Sequence, residues 1–165
     1  MPHQEVFQAT PEIQKLVDFY EAVAEEKFIR ISIEGDGLII GDRLMFRRAI
    51  SNVLSNALRH TPTRGKVGFS IQETRGHTEV SIVNSGQDID PKVLPRLFDR
   101  FFRVDPARSH PSTDGAGLGL SITRAIVEAH GGEIAVSSEL GQTCFCLSFP
   151  IGEVKGQSTA DGVQC

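Results

Sequence analysis

Between Phe46 and His60 the apolar positions Phe46, Ile50, Val53, Leu54, Ala57 and Leu58 recur three and four residues apart, the spacing of one buried helix face. Asp42 stands before this pattern, where its carboxylate can cap the first turn, and Thr61-Pro62 closes it. The same period appears earlier. Ile13, Leu16, Val17, Tyr20 and Ala24 point inward from a helix running to about Lys27. Thr10-Pro11-Glu12 opens that helix as a cap, a proline at the first helical position and an acid near the positive end. A third helix is predicted from Gly117 to His130, with Leu118, Ile122, Ala125, Ile126 and Ala129 inward and Gly131-Gly132 ending it. Elsewhere the pattern is that of strands: Phe28 to Ile33, the short run Leu38-Ile39-Ile40, a hairpin of Lys66–Thr74 and Thr78–Val83 around Arg75-Gly76-His77, and a last hairpin of Glu133–Ser137 and Thr143–Phe149.

Helices thus mix with strand pairs, so the predicted fold class is α+β. The expected architecture is a two-layer sandwich with a mixed sheet of about five strands on about three helices. Residues 84–116 break both periods and carry Pro91, Pro95, Pro106 and Pro111. An irregular stretch of that size inside a compact domain is usually functional. Residues 1–150 read as one domain, and residues 151–165, with little to bury, as a disordered tail.

Composition narrows the function classes. The 165 residues are 39% hydrophobic, enough for one ordinary core. A net charge of −4 supplies no global field toward nucleic acid, so any phosphate binding must come from local placement. No apolar run approaches the ~20 residues of a membrane span. Cys144 and Cys146 lie two apart in a strand pattern, and neither they nor Cys165 have metal-site spacing. They read as plain reduced thiols of a cytosolic protein.

Four segments carry candidate chemistry. Asn52 and Asn56 sit one turn apart inside a helix, although asparagine is a poor helix former and the pair costs roughly 1 kcal/mol against better ones. Arg48, Asn52, Asn56 and Arg59 share one stripe, with His60 at its edge. Neutral oxygen acceptors beside cations suit a hydrated Mg²⁺ and a string of phosphates. Asp114-Gly115-Ala116-Gly117-Leu118-Gly119-Leu120-Ser121 places three alternate glycines before a helix, where amides favour phosphate. Alone, such a turn is more often only a loop, and it matches neither a Walker loop nor a dinucleotide fingerprint. Val83-Asn84-Ser85-Gly86-Gln87-Asp88-Ile89-Asp90 puts an amide at a strand end, where it can read a base edge or simply form an Asx-type turn. In Leu97-Phe98-Asp99-Arg100-Phe101-Phe102-Arg103-Val104-Asp105-Pro106-Ala107-Arg108, phenylalanines that can anchor a helix end alternate with arginines that a lid can carry onto phosphate.

In their order, these segments resemble the catalytic, ATP-binding domain of sensor histidine kinases, within the gyrase–Hsp90–histidine kinase–MutL superfamily. Asn52 to Ala57 resembles its N box, Asn84 to Ile89 its first glycine box, Phe98 to Arg103 its F box and Gly115 to Leu120 its second glycine box. The resemblance covers roughly residues 5 to 150, and the wording of Arg96 to Arg108 is most similar to the heavy-metal, copper-type sensor kinases. It implies a Bergerat-type fold, with ATP and Mg²⁺ as cofactors. It further implies that Asn56, with Asn52 beside it, holds Mg²⁺. Arg59 would neutralise phosphate, His60 would flank the adenine and Asn84 would contact the adenine amino group, with Gly86, Ile89, Phe98, Leu118 and Leu120 lining the pocket. Arg103 and Arg108 would reach the γ-phosphate from a lid hinged at Gly115, Gly117 and Gly119.

Two positions depart from the family pattern. Asn84 replaces an aspartate, and Asp88 replaces the second glycine of its box, setting a carboxylate near the pocket. A third contrast concerns chemistry. ATPase relatives place a general-base glutamate where this chain has Asn52, and asparagine cannot take a proton. None of the five histidines, His3, His60, His77, His110 and His130, has an acceptor-helix context. The resemblance therefore implies a kinase half that delivers phosphoryl to a histidine on a separate dimerisation and phosphoacceptor domain, and indirectly to a response regulator. It implies a cytoplasmic piece of a protein in the bacterial inner membrane, with no nucleic-acid partner. A degenerate nucleotide-binding interaction module and a non-kinase ATPase of the same superfamily stay open as alternatives.

Overall fold

A computed structural model of the chain describes residues 4–100 and 119–152. In chain order the elements are β1 (Glu5–Gln8), α1 (Ala9–Glu26), β2 (Arg30–Gly35), β3 (Leu38–Gly41), α2 (Arg43–His60), β4 (Lys66–Thr74), β5 (His77–Ser85), α3 (Gly119–Ala129), β6 (Glu133–Glu139) and β7 (Gln142–Pro150). A 3₁₀ turn lies at Leu94–Arg96. The main sheet has strand order β2-β4-β5-β7-β6, and β1 and β3 form a separate pair. Only β2 and β4 run parallel within the main sheet; its other pairs are antiparallel. The predicted α+β sandwich is therefore the fold, three helices on a five-stranded mixed sheet.

Register explains the core. Ile33, Phe69, Ile82, Phe145 and Val136 lie side by side across all five strands. Phe69, Ile82 and Phe145 are buried against the helices. The next row toward the end of the sheet is Ile31, Val67, Asn84, Thr143 and Ser138. Here the same inward face turns from apolar to polar. Asn84 is carried there by period-two alternation, not by a loop.

Several sequence expectations need correction. β1 was not expected: Val6 is exposed and only Phe7 of its four residues is buried, so it shows no alternation of its own. α1 starts before Thr10, with Gln8 as N-cap and no side-chain cap bond. The β2–β3 turn caps it instead. Ala9 donates its N–H to Gly37 O (2.9 Å) and Thr10 donates its N–H to Asp36 Oδ1 (2.9 Å). Phe28 lies outside β2, exposed, with φ +56°. On α3 the buried face is Thr123, Ile126 and Val127, with His130 just beyond, while Ala125 and Ala129 are exposed. Polar groups turn inward there because partners await them. Thr123 donates its hydroxyl to Ala49 O (3.2 Å), and His130 Nε2 accepts from Asp42 N–H (3.2 Å) while its Nδ1 pairs with Ile126 O (2.7 Å). The cap at Asp42 is as expected, its carboxylate accepting from Met45 N–H at 3.0 Å.

Glu12 ties α1 to α2. Its side chain is 3% exposed and meets Arg47 at 2.6 Å and Arg43 at 2.9 Å. Burial alone would raise its pKa. The hydrogen bond and charge of Arg47, the charge of Lys15 and the hydrogen bond of Arg43 outweigh that and hold it below the ordinary carboxylate value. The ionised form is thus favoured in the fold. Its contribution is complete above the unfolded-chain value of about 4.3 and is lost as pH falls through the lowered folded value. Glu12→Gln is expected to lower stability at neutral pH by about 1–2 kcal/mol, both arginines being a third exposed, and to flatten the acid limb of a urea-unfolding series. An unchanged acid limb would refute the assignment.

Candidate functional site

Of the site residues that sequence singles out, Asn84 lies at the polar end of the sheet and Asn52, Asn56, Arg59 and His60 lie along the C-terminal half of α2. Helix period buries Val53, Leu54, Ala57 and Leu58. The intervening Asn52 and Asn56 are left half-buried, and Arg59 and His60 exposed. Asn52 Nδ2 donates to Gly119 O at 3.1 Å. The Thr123 hydroxyl, whose single proton is shared with Ala49 O at 3.2 Å, also lies within reach of that carbonyl at 3.1 Å. The first residue of α3 is thereby stitched to α2. Asn52 Oδ1 accepts no hydrogen bond among the described residues. One turn on, Asn56 Oδ1 accepts from Arg59 Nη2 at 3.1 Å.

Asn84, at the end of β5, is 4% exposed. Its Nδ2 donates to Ser85 O at 3.2 Å, so it does not form the Asx turn, in which the side-chain oxygen would accept from the amide two residues on. Its Oδ1 accepts nothing among the described residues, leaving an acceptor at the edge of the core face. Gly86 follows with φ +157°, and a Cβ there would stand 3.1 Å from His60 O and 3.7 Å from Asn84 Nδ2. Glycine is what lets this turn lie against the end of α2. Ile89 and Phe98 are half-buried on the core, the Phe98 ring edge-on to Phe145 at 6.2 Å. Leu120, on the first turn of α3, packs on the same core.

The structure therefore brings together Asn52 with Gly119, Asn56 with Arg59, and Asn84 with Gly86 and the end of α2 at His60. Arg103, Arg108, Gly115, Gly117 and Leu118 lie outside the described residues, as do most of the expected lid and all but the start of the expected tail. The donor set fits a hard cation. Two neutral amide oxygens stand one turn apart, and one is unengaged within the described chain. Among the described residues no three His, Cys, Asp or Glu side chains cluster as a metal site, so any ion here would rest on amides, water and phosphate.

Residues 41–153 match the family described as histidine kinase-, DNA gyrase B-, and HSP90-like ATPase. The chain belongs to this ATPase family. Within it, the sensor histidine kinase CusS of Escherichia coli K12 is 42% identical over 151 residues, which are 91% of this chain and 31% of CusS. The chain thus spans about a third of that relative's length. The catalytic domain of the histidine kinase ThkA, in a nucleotide-free form, has a TM-score of 0.77 at 26% identity, with 90% of this chain and 95% of that one covered. Full-length ShkA in complex with AMPPNP has a TM-score of 0.73 at 26% identity, covering 90% of this chain and 31% of ShkA.

Sequence reasoning missed the ATPase-family member's supports for these side chains. Thr123, Ser138, Thr143 and Gly141 hold the site from about 50 to 70 residues away in sequence. Small hydroxyls and a turn glycine in a hairpin carry no signal of that duty. Asp88, whose charge the sequence sets near the pocket, accepts from Gly141 N–H at 2.8 Å.

Proposed function

We propose that this chain binds Mg-ATP and delivers its γ-phosphoryl to a histidine on a separate dimerisation and phosphoacceptor domain, for relay to a response regulator. The reading places it in the kinase half of a membrane-anchored sensor that responds to heavy metals. The contact between Asn52 and Gly119 carries the proposal. A glutamate at position 52, the general base of ATPase relatives, would set a carboxylate oxygen where Gly119 O now receives a donor. The position therefore suits a neutral donor and supplies no base to activate water. A histidine nucleophile carries its own lone pair, so positioning and charge neutralisation suffice.

Asn56 and Asn52 would hold Mg²⁺, which supplies charge neutralisation to the phosphates when bound. Arg59 extends that neutralisation, and Arg103 and Arg108 would complete it from the lid. The unengaged Oδ1 of Asn84 would accept from the adenine amino group, with His60 flanking the ring and Gly86, Ile89, Phe98 and Leu120 lining the pocket. The AMPPNP complex of ShkA supports the choice of an adenine nucleotide.

Incubating the chain and a separately made acceptor domain with γ-labelled ATP is expected to give acid-labile, base-stable phosphohistidine on the acceptor. The chain alone should turn ATP over very slowly. Rapid steady-state hydrolysis would instead favour the ATPase relatives. No thermal shift with ADP and Mg²⁺ would favour a degenerate interaction module.

A further inference from the structure

We propose that Asp88 is a positioning residue for the nucleotide, and that the β6–β7 hairpin it grips is part of the nucleotide site. The inference rests on the nucleotide-binding reading above. After Ser85 the chain leaves the sheet, and residues 86–90 have no strand partner of their own. Their conformation is set by hydrogen bonds to one hairpin. Gly86 donates its N–H to Gly141 O (2.9 Å), and Gly141 returns its own N–H to Asp88 Oδ1 (2.8 Å). Ile89 donates its N–H to Ser138 Oγ (2.8 Å), which is paired in turn with Thr143 Oγ1 (2.9 Å). The turn is thus held at its first, third and fourth residues.

The hairpin end is itself defined. Leu140 at φ +54° and Gly141 at φ +77° form a tight two-residue turn of the kind favoured by right-twisted strands. Leucine seldom takes that conformation, and it stands 92% exposed at the tip. The Gly141 amide is the group that Asp88 takes up, in a charge-assisted bond. Gly86 lies beside Asn84 and His60, since a Cβ on it would stand 3.7 Å from Asn84 Nδ2 and 3.1 Å from His60 O. Whatever fixes residues 86–89 therefore fixes the backbone beside the Asn84 amide. Where the family pattern has a second glycine, this chain replaces backbone freedom with a side-chain tether.

Without the tether the turn samples other conformations, and apparent affinity falls by the fraction that stays competent. Titration calorimetry with Mg-ADP on the whole chain is expected to show binding about three- to tenfold weaker for Asp88→Ala, with most of it recovered in Asp88→Asn, whose amide oxygen still accepts from Gly141. Ser138→Ala, which removes the Ile89 anchor, is expected to weaken ADP binding in the same direction and provides the test should Asp88→Ala fold poorly. Hydrogen exchange gives a second readout. ADP should slow exchange at residues 138–143 in the unsubstituted chain and in Asp88→Asn, but much less in Asp88→Ala. A purely structural tether would lower the melting temperature and leave ADP affinity and its Asn rescue unmoved, which overturns the inference. No ADP binding by the unsubstituted chain would overturn the nucleotide reading itself; unchanged affinity in Asp88→Ala and Ser138→Ala overturns this inference alone.

Discussion

Asn56→Asp is expected to weaken Mg-ADP binding about thirtyfold, whereas Asn84→Asp costs about threefold or less. The difference follows from what each amide touches. Asn56 Oδ1 already accepts from Arg59 Nη2 at 3.1 Å. A carboxylate there would turn that contact into an ion pair, withdrawing the guanidinium from the phosphates and setting a negative charge beside them. Unit charges about 8 Å apart at an effective dielectric of about 20 repel by about 2 kcal/mol, hence the factor of thirty. At Asn84 an aspartate keeps the acceptor oxygen and restores the residue that the family pattern carries, at the cost of turning a 3.2 Å bond to Ser85 O into an oxygen–oxygen contact that a small side-chain rotation relieves. Calorimetric titration of both variants decides the matter. A larger loss at Asn84 than at Asn56 would undo the assignment of metal and base contacts.

Phe46→Ala should be the most damaging core substitution, at about 3–5 kcal/mol. Its side chain is fully buried on α2, with the Phe7 ring edge-on at 5.5 Å and the Phe149 ring at 5.4 Å. Truncation empties a site bounded by β1, α2 and β7 at once, so no single element can move in to fill it. Against a typical total of about 5–15 kcal/mol, the loss leaves the domain marginal, with a melting temperature lower by about 10 °C or more. Urea unfolding gives the number directly. A cost below about 1.5 kcal/mol would mean that the surrounding rings collapse into the space and that the triple contact is not the centre of the core.

The long helix was legible because its signal is local. Six apolar positions on one stripe, an aspartate cap and a terminal Thr-Pro describe α2 without any other part of the chain. The hairpins were legible for the same reason, to within about two residues at their ends. β1 was not, since a four-residue strand with one buried side chain has no period to detect. The start of α1 was misread because its cap is supplied by Asp36 and Gly37, distant in sequence. The inward face of α3 was misread because burial was judged by apolarity. Thr123 and His130 are buried through hydrogen bonds to Ala49, Ile126 and Asp42, and the exposed alanines cost nothing in water.

The candidate site divides along the same line. Sequence alone determined which side chains share the α2 stripe, which amide ends β5, and that no base stands at position 52, because each depends only on residue identity and a local period. Tertiary structure decided how those groups are presented. It turned Asn52 into a donor toward Gly119, left Asn84 Oδ1 open and drew Asp88 onto Gly141. Those outcomes depend on which backbone groups the packing of α3 and the β6–β7 hairpin brings within hydrogen-bond reach. No local pattern in the chain encodes that distance.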